Sequence, residues 1–240
     1  MQLIPVKTKR FEPPQDDLIS EIDTVLEERI QDGDVLVVTS KVVSIHEGRC
    51  TPVEGVEKEE LVRDEADLYI NEVDSRWPIV LKDNAFLVGA GIDESNADEH
   101  YILLPKNPFE SAERIYSYIQ SRFKLKDIGV LVVDSHSIPL RYGTVGVALG
   151  WWGFEPVTHF TGKPDLFGRS ARFSRINVAD ALAVSAVFLM GEMDEQTPLC
   201  IARDIPHIEF TARDTSGNLF IPHREDIYWP LIKRFYESDN

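Results

Sequence analysis

The sequence predicts an α+β fold in which mixed sheets and packed helices form a single domain over residues 1–240. Two runs of β-branched and aliphatic residues, 34–39 and 129–133, predict buried strands. Two further runs, 79–81 and 85–88, predict a hairpin, and hairpins and helices follow one another without a regular strand–helix–strand rhythm. The chain has 240 residues, of which 43% are hydrophobic and 28% charged, so it can bury a substantial core.

The first helix is predicted after Asp16 and Asp17, whose negative charges suit the amino end of a helix. Gly33 is placed to end it. Between these points, apolar residues recur at helical spacing: Leu18, Ile19, Ile22, Val25, Leu26 and Ile30. A weaker apolar stripe predicts a second helix over residues 59–74.

A three-residue turn, 82–84, is predicted to join the two hairpin strands, and residues 101–104 predict another strand. Asn107 and Pro108 predict the start of a helix that runs to Phe123. The strand 129–133 follows this helix and ends in polar residues.

The last part of the chain predicts fewer elements. Residues 138–170 are rich in Gly, Pro and aromatic side chains, and no element is assigned to them. The stretch 179–190 is apolar almost all round, which predicts a buried helix. A strand over 199–202 and a short helix near 229–236 follow, and residues 206–240 are interpreted as a C-terminal extension.

Charge and composition restrict the possible functions. Lys and Arg number 25 and Asp and Glu number 41, which gives a net charge of −16. This balance argues against binding to nucleic acid or an anionic membrane, because both require basic surfaces. An anionic substrate would instead need a metal cation between it and the protein. The longest apolar stretch, 181–190, is shorter than the about 20 residues of a spanning helix, and the two cysteines lack a CxxC spacing, so a cytoplasmic protein with reduced thiols is expected.

Polar residues follow several predicted elements, where a rigid scaffold can hold them for chemistry. Asp93 lies in a polar loop after the hairpin, Asp134 and Ser135 end the strand 129–133, and Glu192 follows the apolar helix. Carboxylate and hydroxyl oxygens suit Mg²⁺ or Mn²⁺. An Asp at a strand end is, however, more often a turn residue or a helix cap.

The common nucleotide-binding fingerprints are missing from the sequence. Neither a P-loop nor a Gly-x-Gly-x-x-Gly turn follows a predicted strand. Lys41, which follows the strand 34–39, is compatible with a phosphate contact or with an ordinary surface charge. The segment 162–169 contains Lys163 and Arg169 and is compatible with a surface hairpin or an anion-binding loop.

Several groups of residues form a pattern in order along the chain: 39–44 with 47–49, 90–96, Asp134-Ser135 with Arg141, 162–169, and Ala179-Asp180 with 190–192. Their order and spacing resemble the coenzyme F420-0:γ-glutamyl ligase family over residues 3–205. The opening Ile4-Pro-Val-Lys-Thr8 and the residues around Arg141 are more similar to a bacterial branch labelled folate-metabolism γ-glutamate ligases.

The resemblance implies a fold specific to that family, an intertwined homodimer, and an amide ligase that uses GTP and two divalent metals, Mg²⁺ or Mn²⁺. Such an enzyme phosphorylates a substrate carboxylate, and the amine of L-glutamate displaces the phosphate. By position, Asp93 and Asp134 would hold one metal, and Ser135 and Glu192 the other. The implied nucleotide contacts are Lys9, Arg10, Phe11, Glu12, Ser40, Lys41, Asn96, Met190, Gly191 and Thr197. The implied catalytic residues are Asp134 and Lys41, of which Lys41 would add a fixed positive charge near the phosphates.

Departures from the family pattern bear on the substrates. Ile45 stands where the deazaflavin ligases carry a Lys that contacts nucleotide, so ATP in place of GTP is compatible with the sequence. The loop 135–141 differs from the family's loop near the acceptor, so the acceptor is either coenzyme F420-0 or a folate. Trp151 and Trp152 are compatible with stacking on a flat ring or with core packing. Basic side chains that are candidates for binding the anionic acceptor, on electrostatic grounds, are Arg141, Lys163 and Arg169.

Two other functions are compatible with the same residues. One is a metal-dependent phosphohydrolase that uses the same carboxylates, and the other is a non-catalytic dimeric binding protein that keeps the fold. The partners expected for an enzyme are small molecules: L-glutamate, a nucleotide and a deazaflavin or folate acceptor.

Overall fold

The structure is a computed structural model that describes residues 1–70 and 78–237. These residues form twelve strands and six α-helices, which confirms the mixed α+β prediction. The strands are β1 Gln2–Val6, β2 Asp34–Thr39, β3 Cys50–Pro52, β4 Leu68–Ile70, β5 Ile79–Lys82, β6 Ala85–Val88, β7 His100–Ile102, β8 Ile128–Ser137, β9 Thr144–Trp152, β10 Val157–His159, β11 Arg175–Asn177 and β12 Leu199–Arg203. The helices are α1 Leu18–Leu26, α2 Ser40–His46, α3 Lys58–Glu65, α4 Pro108–Phe123, α5 Val178–Met190 and α6 Trp229–Glu237.

Five strands form the central sheet in the order β1-β12-β2-β8-β9. β2 and β8 run parallel, with Asp34 opposite Ile128 and Thr39 opposite Val133, whereas the other neighbours are antiparallel. Because the pair is parallel, the carboxyl ends of both strands lie at the same edge of the sheet. The smaller sheets are β4-β5-β6, β3-β7 and β10-β11.

Both faces of the β2–β8 pair are buried, which explains its nearly continuous apolar sequence. Side chains alternate between the two faces. One face packs against α1 and α4 through Leu36, Val38, Val130 and Val132. The other face packs against α5 through Val35, Val37, Leu131 and Val133.

The helices α4 and α5 approach β9 closely because glycines lie at both contacts. A Cβ atom on Gly146 would lie 2.2 Å from the carbonyl oxygen of Ala183 in α5. A Cβ atom on Gly150 would lie 2.4 Å from the carbonyl carbon of Pro108 in α4. The close fit of α5 brings its carboxyl end to the edge where β8 ends.

The predicted helix over residues 59–74 is wrong in its second half. The helix α3 ends at Glu65, and residues Leu68–Ile70 form β4, which pairs antiparallel with β5. The weak apolar stripe did not reveal this strand, because three residues are too few to show a period. Residues 71–74 lie outside the described residues.

The hairpin of β5 and β6 is confirmed, but its turn has two residues and not three. Lys82 pairs with Ala85, which leaves Asp83 and Asn84 as the turn. Their φ angles are 50° and 59°. Both central residues are therefore left-handed, as a type I′ hairpin turn requires.

The predicted starts of α1 and α4 are confirmed, but the predicted end of the first helix at Gly33 is wrong, because α1 ends at Leu26 and Gly33 lies in the turn before β2. The Asp17 side chain accepts hydrogen bonds from the backbone N–H groups of Ile19 and Ser20 at the start of α1. Asn107 caps α4 in the same way. The strands β2 and β12 match their predictions, whereas β8 continues past the predicted end and contains Asp134 and Ser135.

The prediction that the apolar helix is buried all round is wrong. One side of α5 packs into the core, but the side chain of Phe188 is 84% exposed and Val184 and Leu189 are also exposed. Among the described residues, no helix is long and apolar enough to cross a membrane.

The C-terminal segment packs on the core before it reaches α6. The Thr215 hydroxyl accepts a hydrogen bond from the Trp151 indole at 3.0 Å and donates one to the Phe154 carbonyl at 3.0 Å. Phe220 lies 5.8 Å from the Trp151 ring. Trp151 is only 1% exposed, so it packs in the core and no ligand can reach it. Trp152 is partly buried against the core residues on the α1 and α4 side of the sheet.

Candidate functional site

A cavity of about 450 Å³ opens where β2 and β8 end. Its walls come from the start of α2, the end of α5, the N-terminal segment 8–13, the loop after the β5–β6 hairpin, and residues 190–198. Parallel strand ends are a favoured place for ligands because helices begin there and loops are free to vary. The fold thus builds a polar cavity from segments that are far apart in the sequence.

All the metal and nucleotide residues implied by the sequence resemblance line this one cavity. The implied metal residues in its wall are Asp93, Asp134, Ser135 and Glu192. The implied nucleotide residues in its wall are Lys9, Arg10, Phe11, Glu12, Ser40, Lys41, Asn96, Met190, Gly191 and Thr197. That these residues bind metal ions and a nucleotide stays a prediction, but the fold does bring them together in one cavity.

The centre of the cavity contains an ion pair between Lys41 and Asp93. The Lys41 Nζ atom lies 2.6 Å from Asp93 Oδ2, and the backbone N–H of Ser95 donates to Asp93 Oδ1 at 2.7 Å. Burial by itself would raise the pKa of Asp93, but the Lys41 ammonium and the Ser95 hydrogen bonds outweigh it and hold the pKa below its usual range. Asp93 is therefore a carboxylate at neutral pH.

Asp134, near the end of β8, has its pKa shifted in the opposite direction from that of Asp93. Burial raises the pKa of Asp134 to about 7, and the nearby charge of Asp93 adds to the rise. Hydrogen bonds from the Ser135 N–H and the Ser40 side chain, and the charge of Lys41, reduce the effect without cancelling it. The charge of Lys41 thus acts on both carboxyl groups, but it outweighs burial only at Asp93.

Ser135 and Glu192 meet on the α5 side of the same strand end. The Ser135 hydroxyl donates to Glu192 Oε2 at 3.3 Å, and the Thr144 hydroxyl donates to Glu192 Oε1 at 3.4 Å. Both bonds are long and partly exposed to solvent. Glu192 follows Gly191, whose φ of 81° ends the helix and turns the chain toward β8.

The rim of the cavity is held by contacts between loops. The Asn96 side chain donates to the Met193 carbonyl at 3.0 Å, and the Thr197 hydroxyl donates to the Met190 carbonyl at 2.6 Å. Asn96 has a φ of 50°, a left-handed conformation that costs energy outside glycine. The Asn96 side chain thus joins the loop after the β5–β6 hairpin to the loop after α5.

The N-terminal wall carries cations that are paired with local acids. Lys9 Nζ lies 2.6 Å from Asp16 Oδ1, and an Arg10 guanidinium nitrogen lies 2.8 Å from Glu12 Oε1. The Asp16 side chain also accepts a hydrogen bond from the Glu12 N–H at 3.2 Å. This acid fixes the shape of the segment around Lys9.

The three cations expected to bind an acceptor are not part of this cavity. Arg141, Lys163 and Arg169 are exposed and none of them lines its wall. Their prediction used charge alone, and charge does not place a loop. Within one chain, the structure does not bring these residues to the carboxylates.

Sequence reasoning missed part of the site. Thr144 supports Glu192 from β9, a strand in the region where no element was assigned. Apolar side chains in the cavity wall were also missed, namely Val42 and Val187. A helical period marks Val42 and Val187 as core residues only, so no sequence signal distinguishes a cavity wall from core packing.

The donor atoms fit a hard divalent cation. Asp93, Asp134 and Glu192 offer carboxylates and Ser135 a hydroxyl, the oxygen ligands that Mg²⁺ and Mn²⁺ prefer. In residues 1–70 and 78–237, no three His, Cys, Asp or Glu side chains are close enough together to form a ready metal site. A cation would therefore have to draw these side chains together. The repulsion between the carboxyl groups of Asp93 and Asp134 would favour its binding, because its positive charge would offset both.

The fold and cavity define an α+β protein with an acidic pocket at the carboxyl ends of two parallel strands. A family model described as F420-0:Gamma-glutamyl ligase matches residues 6–204. The chain belongs to this family of ligases.

Curated relatives support the same assignment. The chain is 34% identical to the coenzyme F420:L-glutamate ligase of Halobacterium salinarum, with 86% of this chain and 88% of that protein covered. It is 33% identical to the protein of the same name from Methanocaldococcus jannaschii, with 83% and 86% covered. It is 36% identical to that from Halorubrum lacusprofundi, with 93% and 94% covered.

Proposed function

We propose that this chain is a γ-glutamyl ligase that uses a nucleoside triphosphate and divalent metal ions to join a carboxylate to L-glutamate. The observation that carries the proposal is the single cavity in which all the implied metal and nucleotide residues meet. Membership of the ligase family supports the reaction class.

The proposed reaction has two displacement steps. A carboxylate oxygen of the acceptor attacks the γ-phosphorus, the bond to the bridging oxygen breaks, and the nucleoside diphosphate leaves. The amine of L-glutamate then attacks the acyl carbon, the carbon–oxygen bond to the phosphate breaks, and the nitrogen loses a proton as the amide forms. Both steps depend on positioning and charge neutralisation more than on a covalent role for the protein.

The residues of the cavity divide these tasks. Asp93, Asp134, Ser135 and Glu192 would hold the divalent ions, which supply charge neutralisation for the phosphate groups when bound. Lys41 contributes the fixed positive charge at the centre of the cavity. The N-terminal wall and residues 190–197 would enclose the nucleotide.

The acceptor and the nucleotide are the finer parts of the proposal. The relatives are named for coenzyme F420, which favours a deazaflavin acceptor, while the sequence of the loop 135–141 favours a folate. Ile45 lines the cavity where the deazaflavin ligases carry a lysine, so GTP and ATP are both candidates. Neither of the two adjacent tryptophans lines the cavity, since Trp151 is buried and Trp152 lies opposite Val130, at the other end of β8 from Asp134.

A homodimer is also part of the proposal. Residues 160–175, called the basic arm, carry Lys163, Arg169, Arg172 and Arg175 against the single acid Asp165, a net charge of 4 − 1 = +3 in a chain of −16. Its large apolar side chains Leu166, Phe167 and Phe173 are almost fully exposed. Opposite charge and exposed apolar groups fit a second copy of this acidic chain. Light scattering of the purified protein is expected to give twice the mass of one chain, and a monomer would refute this part.

Mass spectrometry tests the ligase reaction directly. Purified protein is incubated with Mg²⁺ or Mn²⁺, L-glutamate, GTP or ATP, and either coenzyme F420-0 or a pteroyl acceptor. At least one combination of nucleotide and acceptor is expected to give a product heavier than the acceptor by one glutamyl unit. An unchanged acceptor mass in every combination would refute the proposal. Phosphate release that does not require glutamate would indicate the phosphohydrolase instead, and ligand binding without turnover would indicate a binding protein.

A further inference from the structure

The ammonium group of Lys41 lies against Asp93, one of the carboxylates that would hold a divalent cation. Its Nζ atom lies 2.6 Å from Asp93 Oδ2, 2.9 Å from the Ser95 carbonyl oxygen and 3.2 Å from the Ser95 hydroxyl. The other carboxylate oxygen accepts from the Ser95 N–H at 2.7 Å. Both carboxylate oxygens of Asp93 therefore have partners within the chain.

The backbones on either side of this ion pair are fixed. Lys41 lies in the first turn of α2, directly after the buried Ser40. Asp93 exchanges two backbone hydrogen bonds of 2.9 Å with Ile102. Rotation of the lysine side chain, which lines the open cavity, can therefore separate the two groups without a movement of either backbone.

We propose that Lys41 is a built-in competitor for the cation at Asp93, so that a divalent ion binds there weakly until a phosphate draws the lysine ammonium group away. This inference rests on the proposed function, since it uses the metal and the phosphate assigned to the cavity. Lys41 acts here as a positioning residue, because its ammonium group stays paired with Asp93 until a phosphate is bound nearby.

The exchange couples the two ligands. A cation that arrives alone must displace a charged group from a short hydrogen-bonded pair, which weakens its binding. When a phosphate is present, Lys41 gains a new partner, and the carboxylate becomes free for the cation. By linkage, the phosphate then strengthens cation binding by the same factor as the cation strengthens phosphate binding.

The chain offers a matched control for this inference. Lys58 Nζ lies 2.5 Å from Glu94 Oε1, one residue beyond Asp93, and Lys58 does not line the cavity. Lys58→Met and Lys41→Met remove the same charge and break one ion pair each in the same loop. Only Lys41→Met frees Asp93, so general electrostatic effects on cation binding cancel in the comparison.

The probe is Mn²⁺ alone, measured by the electron paramagnetic resonance signal of the free ion, without nucleotide or acceptor. Lys41→Met is expected to bind Mn²⁺ about 10-fold more tightly than the unchanged protein, within the range of ordinary coupling energies. Lys58→Met is expected to stay within about 2-fold of it. Lys41→Gln serves as the second variant if the methionine variant does not fold.

The outcomes separate this inference from the proposed function. Equal or weaker Mn²⁺ binding in Lys41→Met overturns the inference, and so does an equal gain in both lysine variants. Asp134→Asn provides the other test: Mn²⁺ binding that is unaffected by this change refutes the metal site itself. Loss of binding in Asp134→Asn together with no gain in Lys41→Met refutes the inference alone.

Discussion

The cavity and the basic arm are both polar regions, but the fold treats them in opposite ways. In the cavity, Lys41 and Asp134 lie near the ends of buried elements and the loop residue Asp93 is held by two backbone hydrogen bonds to Ile102, so packed or paired backbone sets the direction of these side chains. The basic arm orders its own backbone and buries almost none of its side chains. Functional side chains are thus brought together where the scaffold is rigid, and charge alone does not predict convergence.

The arm is ordered by local hydrogen bonds. The Gly162 N–H donates to the Ala171 carbonyl at 2.9 Å, and the Ala171 N–H donates to the Lys163 carbonyl at 2.8 Å. At the tip, the Asp165 carboxylate accepts from the backbone N–H of Arg169 at 2.8 Å. Such an arm holds its shape without a core contact, which leaves its cations free for a partner.

The largest effect is expected at the cavity centre. Asp134→Asn keeps the shape of the side chain but removes the charge, so ligation should fall by about 100-fold or more if a metal ion depends on this carboxylate. Mass spectrometry of the glutamylated product measures the rate. Asp214→Asn, in the C-terminal segment outside the cavity wall, is the control. Equal ligation rates for Asp134→Asn and Asp214→Asn would contradict the claim that the reaction depends on the carboxylate in the cavity.

A smaller effect is expected at the edge of the same site. Glu192→Gln should weaken Mn²⁺ binding by about 10-fold, because one carboxylate among several oxygen donors loses its charge. The melting temperature should not change, since the bonds from Ser135 and Thr144 to Glu192 are long and exposed. Calorimetry with Glu225→Gln as the charge-matched control tests this, and intact metal binding would show that Glu192 is not a ligand.

The stability of the metal-free protein should depend on pH through Asp134. Its pKa is about 7 in the folded state, against about 3.9 in an unfolded chain. The unfolded state therefore loses its proton first as the pH rises, so stability falls between about pH 4 and pH 7 and then levels off. Asp134→Asn should lack this fall.

Melting curves in the presence of a chelator test the pH dependence. Between pH 5 and pH 8 the unchanged protein should lose at least about 2 °C more than the variant, equivalent to about 1 kcal/mol for a chain of this size. Parallel curves for the two proteins would mean that Asp134 ionises normally and that its surroundings are wetter than the structure indicates.

The smallest effect is expected in the basic arm. The double change Lys163→Ala and Arg169→Ala should alter the free energy of unfolding by less than about 0.5 kcal/mol, the usual range for surface sites. Lys163 contacts little besides the Phe160 ring, at 4.9 Å. Denaturant titration measures this, with Leu36→Ala in the core as a comparison that should cost about 2–5 kcal/mol. A loss above 1 kcal/mol in the arm variant would show that the arm is packed against the body.

Local signals predicted the parts of this protein that depend on neighbours in sequence. Apolar runs identified β2 and β8 because both of their faces are buried, and Asp17 and Asn107 marked helix starts because a cap acts within three residues. The order of the motifs also identified the family. The strand at 68–70 was missed because it is too short to show a period, and its partner strand decides its conformation.

The tertiary structure alone decided how these elements meet. Parallel pairing of β2 and β8 places Lys41 and Asp134 at one edge, and the close fit of α5 on Gly146 brings Glu192 there too. The sequence determined which side chains could do chemistry, since residue type sets charge and donor atoms. Only the packing of distant segments determined which of them share a cavity, because that choice depends on contacts such as the hydrogen bond between Thr8 and Gln196, which are 196 − 8 = 188 positions apart.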